Sequence, residues 1–269
     1  MTGRKAFTIL ELLVTLGLMV LIMGILVPSL RSANRAAMKA RCLSNIRNLQ
    51  LAQLAYAMDN AGFLIEMGLP HGGAGGSEEV AWINTLQEYY DNELVVRSPL
   101  DRSPHWPKDQ GGKGIPVPGT DDRFRRTSYG CNNYLDRKYS DHVSEFGSGA
   151  ATDRLTKIMD HAATVQFLIM AFEGQYAGSD HTHVSEWWIG DFAPHLPPVQ
   201  AAEQVQTNAY RGPEKHWESM SNYGFLDGHV ETLKFSEVYI NPEVNRFDPL
   251  VSKNHATRRA MAEVPSGGE

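Results

Sequence analysis

An uncharged apolar run near the N-terminus limits what this chain can fold into more than any other feature. Residues 12–30 contain no charged side chain, and as an α-helix these 19 residues would extend about 28 Å, close to the roughly 30 Å hydrocarbon core of a bilayer. One acid, Glu11, directly precedes the run. Because a carboxylate in hydrocarbon costs a few kcal/mol, either Glu11 has a partner or the run does not enter the membrane.

A secretory signal peptide or a plain signal anchor is the simplest alternative. Signal peptides have an apolar core of about 7–15 residues followed by a small-residue cleavage site. The run here is longer, and residues 28–33, Pro-Ser-Leu-Arg-Ser-Ala, make a poor cleavage site. The signal anchor therefore stays open as the second interpretation.

Residues 5–13, Lys-Ala-Phe-Thr-Ile-Leu-Glu-Leu-Leu, resemble the processing site of type IV prepilins and type II secretion pseudopilins. In that family a short basic leader is cut off before an aromatic residue, the new N-terminus is methylated, and the fifth mature residue is an acid. The resemblance implies a leader at 1–6, a cut between Ala6 and Phe7, and Glu11 as the acid. It also makes Pro28 the family's helix-kinking or helix-melting proline. Ala6 departs from the usual Gly.

The resemblance also implies a function and a partner for Glu11. In a filament, the carboxylate would pair with the α-ammonium of Phe7 on a neighbouring subunit, and neither charge would be satisfied in an isolated chain. The chain would then be a non-enzymatic filament subunit. Its partners would be copies of itself, related pilins, the prepilin peptidase and the inner-membrane assembly platform. The head would be periplasmic, although the positive-inside count, with two cations before the span and five after it, favours the opposite orientation.

Charge is unevenly distributed along the chain. Residues 31–58 contain five cations and no acid: Arg31, Arg35, Lys39, Arg41 and Arg47. Because the whole chain has a formal net charge of −6 and residues 1–58 have seven cations and one acid, residues 59–269 carry −12. Such an acidic head argues against nucleic-acid binding.

Periodicity and turn signals predict an α+β fold. Mainly apolar residues at three- and four-residue spacing (Leu43, Ile46, Leu54 and Ala57, with Gln50 on the same face) predict that the helix of residues 7–59 continues as a stalk packed on a head. Residues 80–90 predict a short amphipathic helix, 165–172 a central strand, and 221–235 a hairpin turning at Asp227-Gly228. A long helix followed by antiparallel strands resembles the pilin layout. The head is expected at 60–255, and a flexible tail at 256–269.

Two groups of histidines and acids are weak metal candidates. His216 followed by Asp227-Gly228 resembles, with one extra residue of spacing, a C-terminal signature of a planctomycete-type prepilin-like group. These residues and His229 could hold zinc or a similar ion, although a hairpin turn needs no metal. Residues 179–195, which include His181, His183 and Asp191, have the composition of a variable loop insertion. The alternative function is a signal-anchored periplasmic metal-binding protein or metal-dependent hydrolase that uses this loop.

The two cysteines, Cys42 and Cys131, show no metal-binding spacing. In a head outside the cytoplasm they could form a disulfide between stalk and head. Cys42 could equally be a small residue of the helix-packing face.

Overall fold

The computed structural model describes residues 8–70, 78–90, 96–262 and 264–265. A single helix, α1, runs from Ile9 to Asp59 over 51 residues, about 77 Å at 1.5 Å per residue. Its first part is long and apolar enough to cross a membrane. Pro28 lies inside the helix, which continues on both sides of it. The predicted long N-terminal helix is confirmed.

The remaining helices are short. They are α2 (Trp82–Thr85), α3 (Asp141–Phe146), α4 (Pro197–Gln204), α5 (Phe235–Val238) and α6 (His255–Met261). Single 3-10 turns lie at Glu78–Val80, Gln87–Tyr89, Lys108–Gln110, Asn133–Leu135, Ser148–Ala150, Leu155–Lys157, Val184–Trp187 and Ser252–Asn254. The amphipathic helix predicted over residues 80–90 is thus one turn of α-helix between two 3-10 turns.

A four-stranded antiparallel sheet forms the centre of the head. Its strands are β1 (Tyr129–Cys131), β2 (Val165–Ile169), β3 (Met220–Phe225) and β4 (Val230–Lys234), adjacent in that order. The predicted central strand and hairpin are confirmed as β2 and as the β3–β4 pair. Gly228 has a positive φ of 93° in the connecting turn, a conformation that glycine adopts without steric cost. A second, two-stranded sheet pairs β5 (Tyr239–Asn241) with β6 (Val244–Asn245).

The C-terminal half of α1 packs against the face of the sheet at β3. Its buried residues are Cys42, Ile46, Leu49, Gln50, Ala52, Gln53 and Ala57. The closest approach is at Gly224, where an added Cβ would lie 2.8 Å from the Gln50 side-chain nitrogen and closer still to Ile46. The absence of a side chain at this position lets the helix lie directly on the strand.

The opposite face of the sheet is covered by aromatic side chains. Trp187 is fully buried there, with its ring centroid 5.0 Å from that of Phe247 and 5.4 Å from that of Tyr239. An irregular register in β2 between Val165 and Phe167 places Val165 in this aromatic layer and Phe167 in the layer beneath α1. The head therefore has three layers, with the sheet between α1 and the aromatic cluster.

The structure adds order to two segments for which the sequence predicted little. Residues 179–182, at the start of the predicted variable loop insertion, are buried and lie along the edge of β1, where the Cys131 N–H donates to the Asp180 carbonyl at 2.8 Å. The C-terminal segment is not a flexible tail throughout, because α6 forms there and Arg259 donates to the Ser236 carbonyl at 3.1 Å. In both segments a hydrogen bond to a residue far along the chain holds the backbone in place.

Candidate functional site

The N-terminus of α1 is the first candidate site, because Glu11 lies there. Thr8 is the N-cap residue, and its hydroxyl oxygen accepts a hydrogen bond from the Glu11 N–H at 3.2 Å. Glu11 Oε2 in turn accepts from the Thr8 N–H and the Thr8 hydroxyl, both at 2.9 Å. This reciprocal arrangement is a capping box, which satisfies backbone donors that a helix start leaves open.

The capping box corrects one expectation. The carboxylate of Glu11 is not without a partner in the isolated chain, since Thr8 supplies two donors to one of its oxygens. The signal was visible in the sequence, because Thr-x-x-Glu before an apolar run is the pattern of a capping box. The implied cleavage site, Ala6 and Phe7, lies outside the described residues.

The apolar surface of α1 from Ile9 to Leu30 has no cover from the rest of the described chain. All its large apolar side chains are exposed, from 80% at Ile9 to 44% at Val27. Pro28 has no N–H, so the Gly24 carbonyl lacks its usual intrahelical donor. This segment therefore needs a cover that the described part of the chain does not supply.

The hairpin turn places two of the metal candidates together. Asp227 Oδ1 accepts from the His229 N–H at 3.0 Å and contacts the His229 ring nitrogen. Partial burial raises the pKa of Asp227. The hydrogen bonds from His229 and its charge outweigh this effect, so the pKa of Asp227 lies below its ordinary value. The His229 ring stacks on Phe225 with ring centroids 4.2 Å apart. Each of these contacts supports the turn.

His216 is not part of this group. It precedes β3, whereas Asp227 follows the strand's other end, and the six residues of β3 extend about 17 Å. The His216 ring instead accepts from the Glu218 N–H at 3.0 Å. His216 and the Asp227-Gly228 turn therefore do not lie in one site.

His181 and His183 lie in a separate cluster at the edge of β1. His181 is fully buried, its ring contacts Asp180 at 2.9 Å, and it stacks on Tyr139 with centroids 4.1 Å apart. Burial, and to a lesser extent the neighbouring His181, lower the pKa of His183 to about 4.

Asp180 has a structural role in this cluster. Its two carboxylate oxygens accept from the Gly68 and Leu69 N–H groups at 3.0 and 3.1 Å. It therefore joins the segment after α1 to the edge of the sheet. Asp191, the remaining metal candidate of this loop, is exposed.

The described part of the chain contains no group of three or more His, Cys, Asp or Glu side chains placed to hold a metal ion. The possible disulfide is likewise not formed: Cys42 and Cys131 are free, buried thiols. Cys42 Sγ accepts from the Ser98 hydroxyl at 3.3 Å, and burial raises the pKa of both thiols.

A buried ion pair is the feature that sequence reasoning missed. Arg125 and Asp101 have fully buried side chains and are joined at 2.7 Å. Arg125 also donates to backbone carbonyls of Ser128, Met170, Ala171 and Ala177. No local signal predicts this pairing, because the partners are 24 residues apart in an irregular segment.

Comparison with known proteins adds no relative to these observations. No family model, no curated protein and no solved structure matches the chain. The resemblance to prepilins therefore stays a prediction from the sequence.

Proposed function

We propose that this chain is a membrane-anchored subunit of a type IV pilus-like or type II secretion-like filament. In this proposal a prepilin peptidase cuts it between Ala6 and Phe7, and its new N-terminus is methylated. The observation that carries the proposal is the division of α1. Its C-terminal half is embedded in the head, whereas its apolar N-terminal half is exposed and begins at a single carboxylate.

Physical chemistry requires a cover for the exposed half. A continuous apolar surface of this length is not stable in water, and it indicates contact with lipid or with other protein. The hydrocarbon chains of lipid cover the side chains but supply no positive charge to Glu11. Packing among N-terminal helices of several subunits would supply both the apolar cover and the positive charge, since a processed N-terminus carries an ammonium group.

The capping box is compatible with such a pair. Thr8 donates only to Oε2 of Glu11, and among the described residues Oε1 accepts no hydrogen bond. An ionised carboxylate can accept several hydrogen bonds. One oxygen can therefore cap its own helix while the other receives the ammonium of a neighbouring chain.

Processing is tested by the intact mass of the full-length chain extracted from membranes. The expected mass corresponds to loss of residues 1–6 and addition of one methyl group. Ala6→Glu, which replaces the small residue before the cut, should keep the leader, whereas Ala33→Glu on the exposed stalk should not. An unaltered protein with an intact N-terminus would contradict the proposal.

Assembly is tested separately by crosslinking in cells and by counting the multimers that contain this chain. Glu11→Ala should reduce its entry into multimers about tenfold or more, because the ammonium of the neighbour would be left buried and unpaired. Glu243→Ala, at an exposed acid on the head, serves as the control. Equal multimer yields for the two variants would rule out the role of Glu11.

A further inference from the structure

The head contains a cavity that the filament role does not use. Its volume is about 810 Å³, and it opens between the turns at 82–90 and the irregular loop at 96–126. Cavities that bind small molecules are typically about 300–1,000 Å³. Its apolar wall includes Leu69, Ile83, Trp106 and Phe124.

The charged groups of this cavity are mainly guanidinium groups. Arg97, Arg123, Arg125 and Arg126 line it, whereas Asp109 is the one carboxylate among its described lining residues. The chain beyond residue 58 has a formal net charge of −12. A concentration of positive charge on an otherwise acidic head attracts anions.

Two of these arginines are held in fixed positions. The Arg97 guanidinium lies over the Trp106 ring at 4.6 Å from its centroid and donates to the Gln110 carbonyl. Arg126 donates to the Asn84 side-chain oxygen at 3.0 Å. Charged groups that are already positioned lose less conformational entropy when a ligand binds.

The buried Arg125–Asp101 pair holds the loop in this arrangement. A buried ion pair is weak evidence for added stability, because desolvation offsets much of the attraction. Here the pair joins the two ends of the loop and places the chain neighbours of Arg125 at the cavity wall. Irregular segments of this length within compact domains are usually functional or disordered, and this one is hydrogen-bonded, for example from the Val117 N–H to the Arg123 carbonyl at 2.8 Å.

We propose that this cavity binds a small organic anion that carries a carboxylate, sulfonate or phosphate group on a flat apolar body. The planar guanidinium groups match the oxygens of such anions, and the exposed ring of Phe124 offers apolar surface for the body of the ligand. The proposal is independent of filament assembly, since it uses only residues of the head.

Calorimetric titration of the detergent-solubilised full-length chain tests the proposal. The probe is naphthalene-2-sulfonate, with the heat of the same detergent alone subtracted. We expect saturable binding of one anion per chain. The uncharged analogue 2-(methylsulfonyl)naphthalene should bind at least about tenfold more weakly, because it cannot form charge-assisted hydrogen bonds.

The variants assign the binding to the cavity. Arg97→Gln, Arg123→Gln and Arg126→Gln combined should weaken sulfonate binding about tenfold or more. Arg102→Gln, at an exposed arginine of the same loop that does not line the cavity, should leave it unchanged. If the triple variant does not stay folded under the conditions of the titration, Arg123→Gln alone gives the same comparison with a smaller loss of affinity. Absence of saturable binding, equal binding by the arginine variants, or equal binding of the uncharged analogue would overturn the proposal.

Discussion

The two halves of α1 belong to one continuous helix but have opposite surroundings. Residues 9–30 are almost entirely apolar and exposed, whereas one face of residues 42–57, which includes Gln50 and Gln53, is buried against the sheet. The more apolar half is therefore the one that packs against no other described part of the chain. The contrast shows that a high apolar content marks the part of α1 that needs a cover. Shape complementarity with the sheet decides which part of α1 packs on the head.

The same substitution in each half gives the largest expected contrast. Ile46 is fully buried, and Ile46→Ala should lower the free energy of unfolding of the head by about 2–5 kcal/mol through lost burial and a cavity. Ile22→Ala, in the exposed half, should change it by less than about 0.5 kcal/mol. Urea unfolding followed by the fluorescence of the head tryptophans measures both. Similar losses for the two variants would contradict the division of the helix.

The close contact at Gly224 can be tested by overpacking. Gly224→Ala should cost about 1–3 kcal/mol, because the new Cβ would overlap the Ile46 side chain. Combined with Ile46→Ala, its cost should be less than the sum of the single effects, since the nearer of the two overlapping side chains is then shortened. Gly149→Ala, where an added Cβ meets nothing within 4 Å, is the control. If the two losses of unfolding free energy simply add, Gly224 and Ile46 are not in contact.

Acid should unfold the head before it affects the exposed half. Burial is the main cause that lowers the pKa of His183 and of His255 to about 4, against an ordinary value of 6.5. Between these values the unfolded chain binds protons that the folded chain does not, so stability falls as the pH is lowered from about 6.5 towards 4. Above that window both states hold neutral histidines, and the effect is absent.

We expect a loss of about 2 kcal/mol between pH 6.5 and 4.5, since partial solvent contact reduces the effect of each histidine. Urea midpoints at the two pH values measure it. His183→Gln combined with His255→Gln should flatten the dependence, and an unchanged slope would show that other groups cause it. Helical signal from residues 9–30, which contain no histidine, should persist.

The smallest expected effect is local, at the start of the helix. Thr8→Ala removes the cap and should cost about 1 kcal/mol, which corresponds to about fivefold faster hydrogen exchange at the Glu11 amide. Thr15→Ala removes a hydroxyl that donates to the Leu12 carbonyl at 2.9 Å within the helix and should leave that amide unchanged. If both variants exchange alike, the cap does not stabilise the first turn.

Local patterns predicted the elements but not the way they meet. The long N-terminal helix, the strand predicted over residues 165–172 and the turn at Asp227-Gly228 follow from periodicity and turn chemistry. The structure has the helix, a strand at Val165–Ile169 and the turn. The short helices of the head were harder to predict, because single turns depend on tertiary contacts more than on propensity. The pairing of residues 179–182 with β1 had no sequence signal at all.

For the candidate sites the same division holds. Thr8 and Glu11 are three residues apart, so one turn of helix was enough to place them together. His216 and Asp227 belong to one predicted signature, yet a strand of extended backbone separates them. Nothing in the sequence related Arg125 to Asp101, yet they form a buried ion pair.

The sequence by itself determined the helix, its apolar half and the capped acid at its start, because each depends on spacing within a few turns of one element. Only the tertiary structure decided which residues became partners across the head: the contact of Ile46 with Gly224, the arginines around the cavity and the free state of both cysteines. Such contacts join residues far apart in the chain, and their energies depend on burial and shape that no local pattern encodes.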